Sequence, residues 1–366
     1  MLNGKTVAVV IPTFNEEKQI GNVIKTMPDF VDRIVVVNDK SKDRTAKIVT
    51  SLLKKGKNNG NVIQKTVIKI PENKYNRAER VANEILVNEL RLYTPFEILN
   101  RDPDRDRLIL INHKRNAGVG AAISSGYRFC RDREIDCVAV MAGDGQMDPD
   151  ELKSICLPVV NGQVDYVKGN RLTHRSALFV VPKIRYFGNS ILSLLTKVAS
   201  GYWHVSDTQC GYTAISLAAL RAIRIHAIYP SYGYPNSLLV KLNIAFCTIK
   251  EVKIKPVYNV GEESKMNITR IMPALTWLLI KSFFYRLYAK YLFRDFHPLF
   301  LFYSFSILLI IIDIPVSLHL YDLFFVTKRL PVQSLVIFTF LTISAFQSLF
   351  FAMWMDMQDN ERLQKI

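Results

Sequence analysis

The sequence predicts an α/β fold: a mostly parallel sheet flanked by helices, followed by an interfacial helix and a two-helix apolar hairpin. Three observations carry this. Between residue 7 and about residue 170, short apolar runs alternate with helix-period stripes, the rhythm of a parallel sheet with helices on both faces. Ile268 to Leu292 mixes Leu, Ile, Phe, Trp and Tyr with spaced Lys and Arg, as a helix lying on anionic lipid does. Pro298 to Leu320 and Val332 to Met355 are almost wholly apolar, each long enough to cross a hydrocarbon core that requires about 20 residues.

Val7–Ile11 reads as the opening strand, and Ile20, Val23, Ile24 and Met27 form a helical stripe behind it. Arg33–Val37 is the next strand, with a helix from about Asp43. Residues 54–107 break the rhythm with a Lys/Asn/Gly stretch, a further Val/Ile strand, a charged helix from about Asn76 to Leu92 and the turn DPDRDR; this is expected to be a solvated elaboration. Leu108–Ile111 is a strand leading into NAGVGAA and a helix, Cys137–Met141 another, and Asp165–Val167 a short one. After Cys137–Met141, Asp144 and Gln146 alternate, which puts both on one face of an extended chain. Asp148, Pro149 and Glu151 then fit an N-cap, a first helical position and a capping box. The plain alternative is a strand–turn–helix with an Asx turn.

The two apolar spans are joined by the short loop Tyr321 to Pro331. Asp313 in the first span lies at a depth like that of Thr339 or Thr342 of the second, so either a hydrogen bond crosses the hairpin or the apolar segment ends sooner. Lys281, Arg286, Lys290 and Arg294 precede the first span and Arg362 and Lys365 follow the second, with Lys328 and Arg329 opposing them from the loop. The positive-inside rule then places both termini and the α/β domain on the cytoplasmic side. The expected divisions are 1–265, 266–295 at the membrane interface, 296–356 as the hairpin and 357–366 as a cytoplasmic tail.

Net charge is +16 over 366 residues, which favours anionic partners. Because much of it flanks the apolar segments, membrane lipids are the expected partner and nucleic acid is not. Cys130, Cys137, Cys156, Cys210 and Cys247 are scattered with no C-x-x-C, which argues for reduced thiols and against zinc or a disulfide framework. The segment MLNGKTVAVVIPTFNEE enters a strand at once and does not read as a signal peptide.

Ligands of parallel sheets bind beyond the carboxyl ends of the strands. Those ends carry Pro12-Thr13-Phe14-Asn15-Glu16; Asn38-Asp39 with Ser41, Asp43 and Thr45; His113-Lys114-Arg115-Asn116; and Asp144 with Gln146. No P-loop, serine–histidine arrangement or G-x-G-x-x-G opens the domain, so hydrolase and dinucleotide readings are weak.

IPTFNEE, VVVNDKSKDRT, KRNAGVGAA, AGDGQMDP, GNR and DTQCG occur in that order. Together they resemble the family 2 glycosyltransferases of GT-A fold, over about residues 5–265, and most of all the polyprenyl-phosphate glycosyltransferases that include dolichyl-phosphate mannose and glucose synthases. The resemblance implies that Pro12 and Glu16 border the nucleotide and Asp39 holds the base. It implies that Asp144 and Gln146 bind Mg²⁺ or Mn²⁺ on the donor diphosphate, and that Arg171 lies near the phosphates. Asp207, Gln209 and Gly211 fall in the acceptor-side motif, and Ser264-Lys265 in a loop that covers the diphosphate. Lys114 and Arg115 belong with the donor-binding set, and Asp144, Arg171 and Asp207 with the catalytic one, Asp207 being the candidate general base.

The sequence departs from the family pattern at two places. The usual D-x-D reads Ala142-Gly143-Asp144, and the paired acids after the second strand read Asn38-Asp39, with Lys40 where glycine is common. The expected reaction is inverting, metal-assisted transfer of a sugar from a nucleotide-sugar donor to a polyprenyl or dolichyl phosphate at the cytoplasmic membrane face. DTQCG leans the donor toward UDP-glucose or UDP-N-acetylglucosamine, with GDP-mannose open. Three alternatives remain: transfer to another lipid-linked or glycan acceptor, a non-catalytic nucleotide-sugar sensor with a degenerate metal site, and a nucleotidyltransferase. A second copy of the chain is a further candidate partner.

Overall fold

The computed structural model describes residues 1–55, 62–64, 71, 73–180, 183–257, 268–328 and 331–365. Its strands, in chain order, are β1 (Val7–Thr13), β2 (Arg33–Asn38), β3 (Phe96–Ile98), β4 (Leu108–His113), β5 (Cys137–Val140), β6 (Tyr166–Asn170), β7 (Thr213–Ser216) and β8 (Ile249–Lys253). They form one sheet in the order β3-β4-β2-β1-β5-β7-β6-β8. The β4-β2-β1-β5 block is parallel, β3 and β7 run antiparallel to their neighbours, and β6 pairs parallel with β8.

The central strands are buried on both faces, which is why they read as unbroken apolar runs. Val7, Val9 and Ile11 join Ile34, Val36 and Cys137 in one core layer. Ala8, Val10, Val35 and Val37 join Ile123 and Tyr127 of α4 (Val119–Arg131) in the other. The strands expected at Val7–Ile11, Arg33–Val37, Leu108–Ile111, Cys137–Met141 and Asp165–Val167 all form, and β3, β7 and β8 add to them. β3 and β8 are the sheet's two edges, and their sequences, FEI and IKEVK, lack the apolar run of a doubly covered strand.

The charged helix of the elaboration is α3 (Arg77–Asn88), continued by a 3-10 turn to Leu92. Part of the Val/Ile strand expected before it, at residues 65–70, lies outside the described residues. The five cysteines are all buried and free of disulfides.

The carboxyl third is helical. Helix α10 (Ile268–Tyr288) packs on α7 (Lys183–Ser200) and α9 (Tyr234–Ile244), with Leu275 and Leu279 buried against Leu192 and Ala199. Its other face exposes Trp277, Ile280, Phe284 and Tyr288, at 68, 44, 48 and 52%. The long apolar helices α11 (Leu299–Asp322) and α12 (Val332–Glu361) then pair with each other. Both are long and apolar enough to cross a membrane, and only 22% and 17% of their most apolar stretches is buried. A core helix of a soluble fold would hide most of that surface. The bond anticipated across the hairpin is present: Thr342 Oγ1 donates to Asp313 Oδ2 at 2.8 Å.

Two details revise the sequence reading. Arg286 and Lys290, counted among cations facing the membrane surface, are buried instead. Asp356 and Asp359, near the end of α12, lie 2.7 and 3.0 Å from them and supply the opposite charge. Of the tail expected at 357–366, the described residues 357–365 first continue α12 to Glu361. They then lie along the sheet edge, where Ile249 N donates to the Leu363 carbonyl and Lys365 N donates to the Ile249 carbonyl.

Candidate active site

The loops after β1 and β2 build one wall by clasping each other. Asn15 N donates to Ser41 Oγ, Glu16 N to Thr45 Oγ1 and Glu17 N to Asp43 Oδ2, at 2.9–3.1 Å. In return Lys42 N donates to Asn15 Oδ1 and Arg44 N to Glu17 Oε2. This fixes Pro12, paired with Val37 in the sheet, and Glu16, whose carbonyl starts the next helical turn. Asn38 Oδ1 accepts from both the amide and the hydroxyl of Ser41.

Lys40 adopts φ +57°, the left-handed conformation that explains why glycine suits this position. An L-residue pays roughly 1–2 kcal/mol there, and an exposed lysine tolerates it better than a β-branched residue. Lys40→Gly should therefore leave stability within about 0.5 kcal/mol, because relief of strain offsets the added chain entropy of glycine. Lys40→Val should cost about 1 kcal/mol beyond the strain lysine already carries, because β-branched residues fit this conformation worst. Thermal unfolding of the two variants side by side checks this, and equal stabilities would contradict the strain argument.

Asp39 sits at the end of β2 with 3% exposure. Its carboxylate accepts from Ala117 N and, at 2.6 Å, from Gly118 N, and lies 2.7 Å from His113 Nδ1. His113 Nε2 in turn lies 2.9 Å from Ser125 Oγ. This Asp–His–Ser line is wholly buried, so it presents no nucleophile and serves to lock β2, β4 and α4 together. Gly118 takes φ +95°, and a Cβ there would meet the Pro230 carbonyl oxygen at 2.5 Å. That carbonyl accepts from Gly120 N and Ala121 N. The glycines thus permit a close backbone approach, and these first amides of α4 do not face an anion. Lys114 and Arg115 stand exposed at the same sheet edge.

Beyond β5 the chain leaves the sheet at Met141, and Asp144 and Gln146 fall in a turn, not on an extended segment. Gln146 N donates to Asp144 Oδ1 at 3.0 Å across Gly145, whose φ is +78°. The turn packs against the β1 wall: a Cβ on Gly143 would meet Thr13 Cγ2 at 2.7 Å, and one on Gly145 would meet Gln19 Oε1 at 3.4 Å. Asp148 caps Pro149–Glu151 by accepting from Asp150 N. Glu151 does not close the expected capping box, because its carboxylate accepts from Lys255 N instead, 2.9 Å away.

Among the described residues no three His, Cys, Asp or Glu converge to hold a metal. Asp144 and Gln146 offer a carboxylate and an amide oxygen on one short turn. That set suits a hard cation such as Mg²⁺, which is commonly bound by one or two protein oxygens together with waters and substrate phosphates. An all-protein cage is not required.

The opposite wall comes from β6 and the loop before β7. Arg171 donates to Asp207 through Nε at 2.8 Å, Nη2 at 3.1 Å and its backbone amide at 3.1 Å. Burial by itself would push the Asp207 carboxyl up, yet the Arg171 guanidinium and its hydrogen bonds hold it below the ordinary carboxylate range. Such a group is a weak proton acceptor. Burial pulls the Lys168 ammonium down, and Lys168 donates to the Cys210 carbonyl. Gln209 Nε2 donates to Thr208 Oγ1 and to Asn236 Oδ1, both at 2.9 Å. Tyr234, at the start of α9, packs its hydroxyl beside Gly211. Ser264 and Lys265 lie outside the described residues.

Sequence reasoning passed over Tyr234, Lys168 and Glu251. Lys168 and Glu251 enter the site through sheet order, on β6 and β8, and Tyr234 through the packing of α9 beside Gly211. The packing of α10 also bears on the site: a Cβ on Gly233 would meet Leu278 Cδ2 at 2.6 Å and Leu275 Cδ2 at 2.8 Å. The helix with the exposed aromatic face therefore lies directly against the turn that presents Tyr234.

Comparison with known proteins identifies a family and several relatives. The profile of the family described as "Glycosyl transferase family 2" matches residues 8–82 and 94–224. The chain is 28% identical over 269 residues to UDP-N-acetylglucosamine–dolichyl-phosphate N-acetylglucosaminyltransferase of Methanococcus voltae, covering 73% of this chain and 91% of that protein. It is 24% identical to a dolichyl-phosphate beta-glucosyltransferase of Trichomonas vaginalis, covering 77% and 74%. Among solved structures, glucosyl-3-phosphoglycerate synthase of Mycobacterium tuberculosis, in complex with Mn²⁺, UDP and glucosyl-3-phosphoglycerate, superposes with a TM-score of 0.46 at 16% identity, covering 77% and 80%.

Proposed function

Since the chain belongs to glycosyl transferase family 2, we propose that it transfers a sugar from a nucleotide-sugar donor to a polyprenyl phosphate, such as dolichyl phosphate, with inversion at the cytoplasmic membrane face. The observation that carries the lipid acceptor is the seating of α10. Its Leu275 and Leu278 press on Gly233 beside Tyr234, while Trp277, Ile280, Phe284 and Tyr288 face outward. One helix diameter, about 10 Å, thus separates the acceptor-side motif from an exposed aromatic surface of the kind found at membrane interfaces. A phosphate on a lipid held at that surface is within reach of the site.

In this reading Pro12, Glu16 and the wall built on Asp39 receive the nucleoside, with Lys114, Arg115, Ser264 and Lys265 on the diphosphate side. Asp144 and Gln146 would hold Mg²⁺ or Mn²⁺, which supplies charge neutralisation for the departing diphosphate. Arg171 orients the acceptor phosphate by charge-assisted hydrogen bonds, and Gln209 stands in the loop before β7 that also carries Asp207. A phosphate monoester is largely ionised near neutral pH, its second pKa being about 6, so it attacks without a strong protein base. We therefore assign Asp207 to holding Arg171, not to taking a proton. The named activity of the Methanococcus voltae relative favours UDP-N-acetylglucosamine, with UDP-glucose next.

The deciding experiment supplies radiolabelled UDP-N-acetylglucosamine, UDP-glucose and GDP-mannose separately to the detergent-purified chain with dolichyl phosphate, with Mn²⁺ or with EDTA. Label should enter the organic phase from a UDP-sugar, and chelation should abolish it. Nucleotide binding without transfer from any donor would instead favour the sensor reading, for which Ala142 in place of a carboxylate is the one supporting feature. Release of pyrophosphate would identify a nucleotidyltransferase.

A further inference from the structure

Strand β8 reads Ile249-Lys250-Glu251-Val252-Lys253, an edge strand whose alternating charges look like solvated surface. Glu251 is not used that way. Its Oε1 accepts from Ser206 N at 2.9 Å and from Asp207 N at 3.1 Å, and its Oε2 accepts from Asn170 Nδ2 at 2.6 Å. Asn170 Oδ1 then accepts from Leu172 N and Thr173 N at 3.0 and 3.1 Å. Those two segments, one ending β6 and one preceding β7, are the ones that meet in the Arg171–Asp207 pair. Three N–H donors converge on one carboxylate, and a side chain lacking two acceptor oxygens cannot satisfy them all.

We infer that Glu251 is the positioning residue of the Arg171–Asp207 pair, fixing the direction in which the Arg171 guanidinium meets the acceptor phosphate. This rests on the lipid-phosphate reading for what Arg171 meets, but not for the positioning itself. Glu251 touches no reacting atom and acts through the chain segments it joins. The strand that carries it is braced from the other side by the segment after α12. Leu363 and Lys365 exchange hydrogen bonds with Ile249, and Gln364 Oε1 accepts from His204 N at 2.7 Å, at the start of the same loop. The membrane hairpin and the acceptor-side pair therefore share one mechanical support.

The test is a polarity swap. Glu251→Gln turns one acceptor oxygen into a donor that opposes Asn170 Nδ2, and Asn170→Asp sets a second carboxylate against Glu251. The double variant N170D/E251Q restores donor facing acceptor and leaves net charge unchanged. Each single variant should lower kcat for transfer about tenfold, since small misplacements of catalytic groups are costly, with the Kd for UDP unchanged within twofold. The double variant should recover kcat to within about threefold of the parent, a coupling that additive defects do not show. Amide hydrogen exchange reads the positioning without activity. Residues 204–211 should exchange faster in Glu251→Gln and return to parental rates in the double variant, while β1 and β2 stay protected. A double variant no better than the worse single, or a Glu251→Gln variant with parental kcat and exchange, overturns the inference. A parent protein that transfers nothing to lipid phosphate, yet shows this exchange pattern, overturns the acceptor reading and upholds the positioning.

Discussion

Replacing Asp144 by asparagine is expected to lower kcat for sugar transfer about 10³-fold, or about 4 kcal/mol of transition-state stabilisation. Asparagine is the informative substitution because its side-chain oxygen can still accept from Gln146 N, the bond that shapes the turn. The change then isolates the charge. With Ala142 in place of the first acid of D-x-D, Asp144 is the only carboxylate that the segment from Ala142 to Met147 offers a cation. Among the described residues no three His, Cys, Asp or Glu gather elsewhere to replace it. A leaving diphosphate whose charge is unscreened raises the barrier in proportion to what the cation supplied, commonly several kcal/mol. The converse variant, Ala142→Asp, is expected to lower the Mn²⁺ concentration needed for half-maximal rate several-fold, because hard cations gain from each added oxygen ligand. Both are read by titrating Mn²⁺ into the lipid-transfer assay. A parent enzyme indifferent to EDTA, with Asp144→Asn within about tenfold of it, would show that Lys and Arg alone carry the diphosphate charge.

The candidate site is legible in the sequence where polar residues sit close to a doubly buried strand. β1, β2, β4 and β5 announce themselves as apolar runs; Pro12 lies at the end of β1, Asp39 and Lys114 follow directly on β2 and β4, and Asp144 comes shortly after β5. What the sequence hid were partners far apart along the chain. Asp39 finds His113 and Gly118 74 and 79 residues away, Arg171 finds Asp207 36 residues away, and Glu251 reaches Asn170 across 81 residues. Such pairs follow from sheet order, and an edge strand as short as β3 or as charged as β8 gives too little apolar period-2 signal from which to infer that order. Local geometry misled where a left-handed residue intervened. Asp144 and Gln146 alternate as in a strand, but Gly145 at φ +78° makes the segment a turn. The capping box failed for a similar reason, since the Lys255 amide, 104 residues away, competes for the Glu151 carboxylate. Ser264 and Lys265 remain assigned by motif resemblance alone.

Asp356→Ala should destabilise the protein by about 3–5 kcal/mol, the usual cost of stranding a buried charge. Arg286 and Asp356 are both fully buried and joined by two bonds, Nη1 to Oδ1 at 2.7 Å and Nη2 to Oδ2 at 2.8 Å. Arg286 directs its remaining donors to the Ala199 and Val198 carbonyls at the end of α7 and, from Nη1, to Tyr291 Oη at 3.4 Å. Tyr291 Oη and Asn360 Nδ2 complete the shell around Asp356 Oδ1 at 2.9 and 2.8 Å. Helix α12 has 30 residues, so it is about 45 Å long and outruns a hydrocarbon core of about 30 Å. If α12 spans such a core, its last turns, with Asp356, Asp359 and Asn360, stand clear of the apolar layer, and they pack on the α/β domain. The pair is thus a weld between anchor and enzyme, and alanine at 356 leaves the Arg286 guanidinium with no counter-charge at that contact. An apolar replacement of both partners, R286M/D356L, should cost much less than either single change, because it removes the desolvation penalty together with the attraction. Thermal unfolding of the three variants in detergent decides the matter. If the double variant is as unstable as Asp356→Ala, the hydrogen bonds to α7 and Tyr291, and not the charge pair, hold the hairpin to the domain. In the expected case the enzyme keeps a fixed height above the bilayer, which is what transfer to a phosphate held at the membrane surface requires.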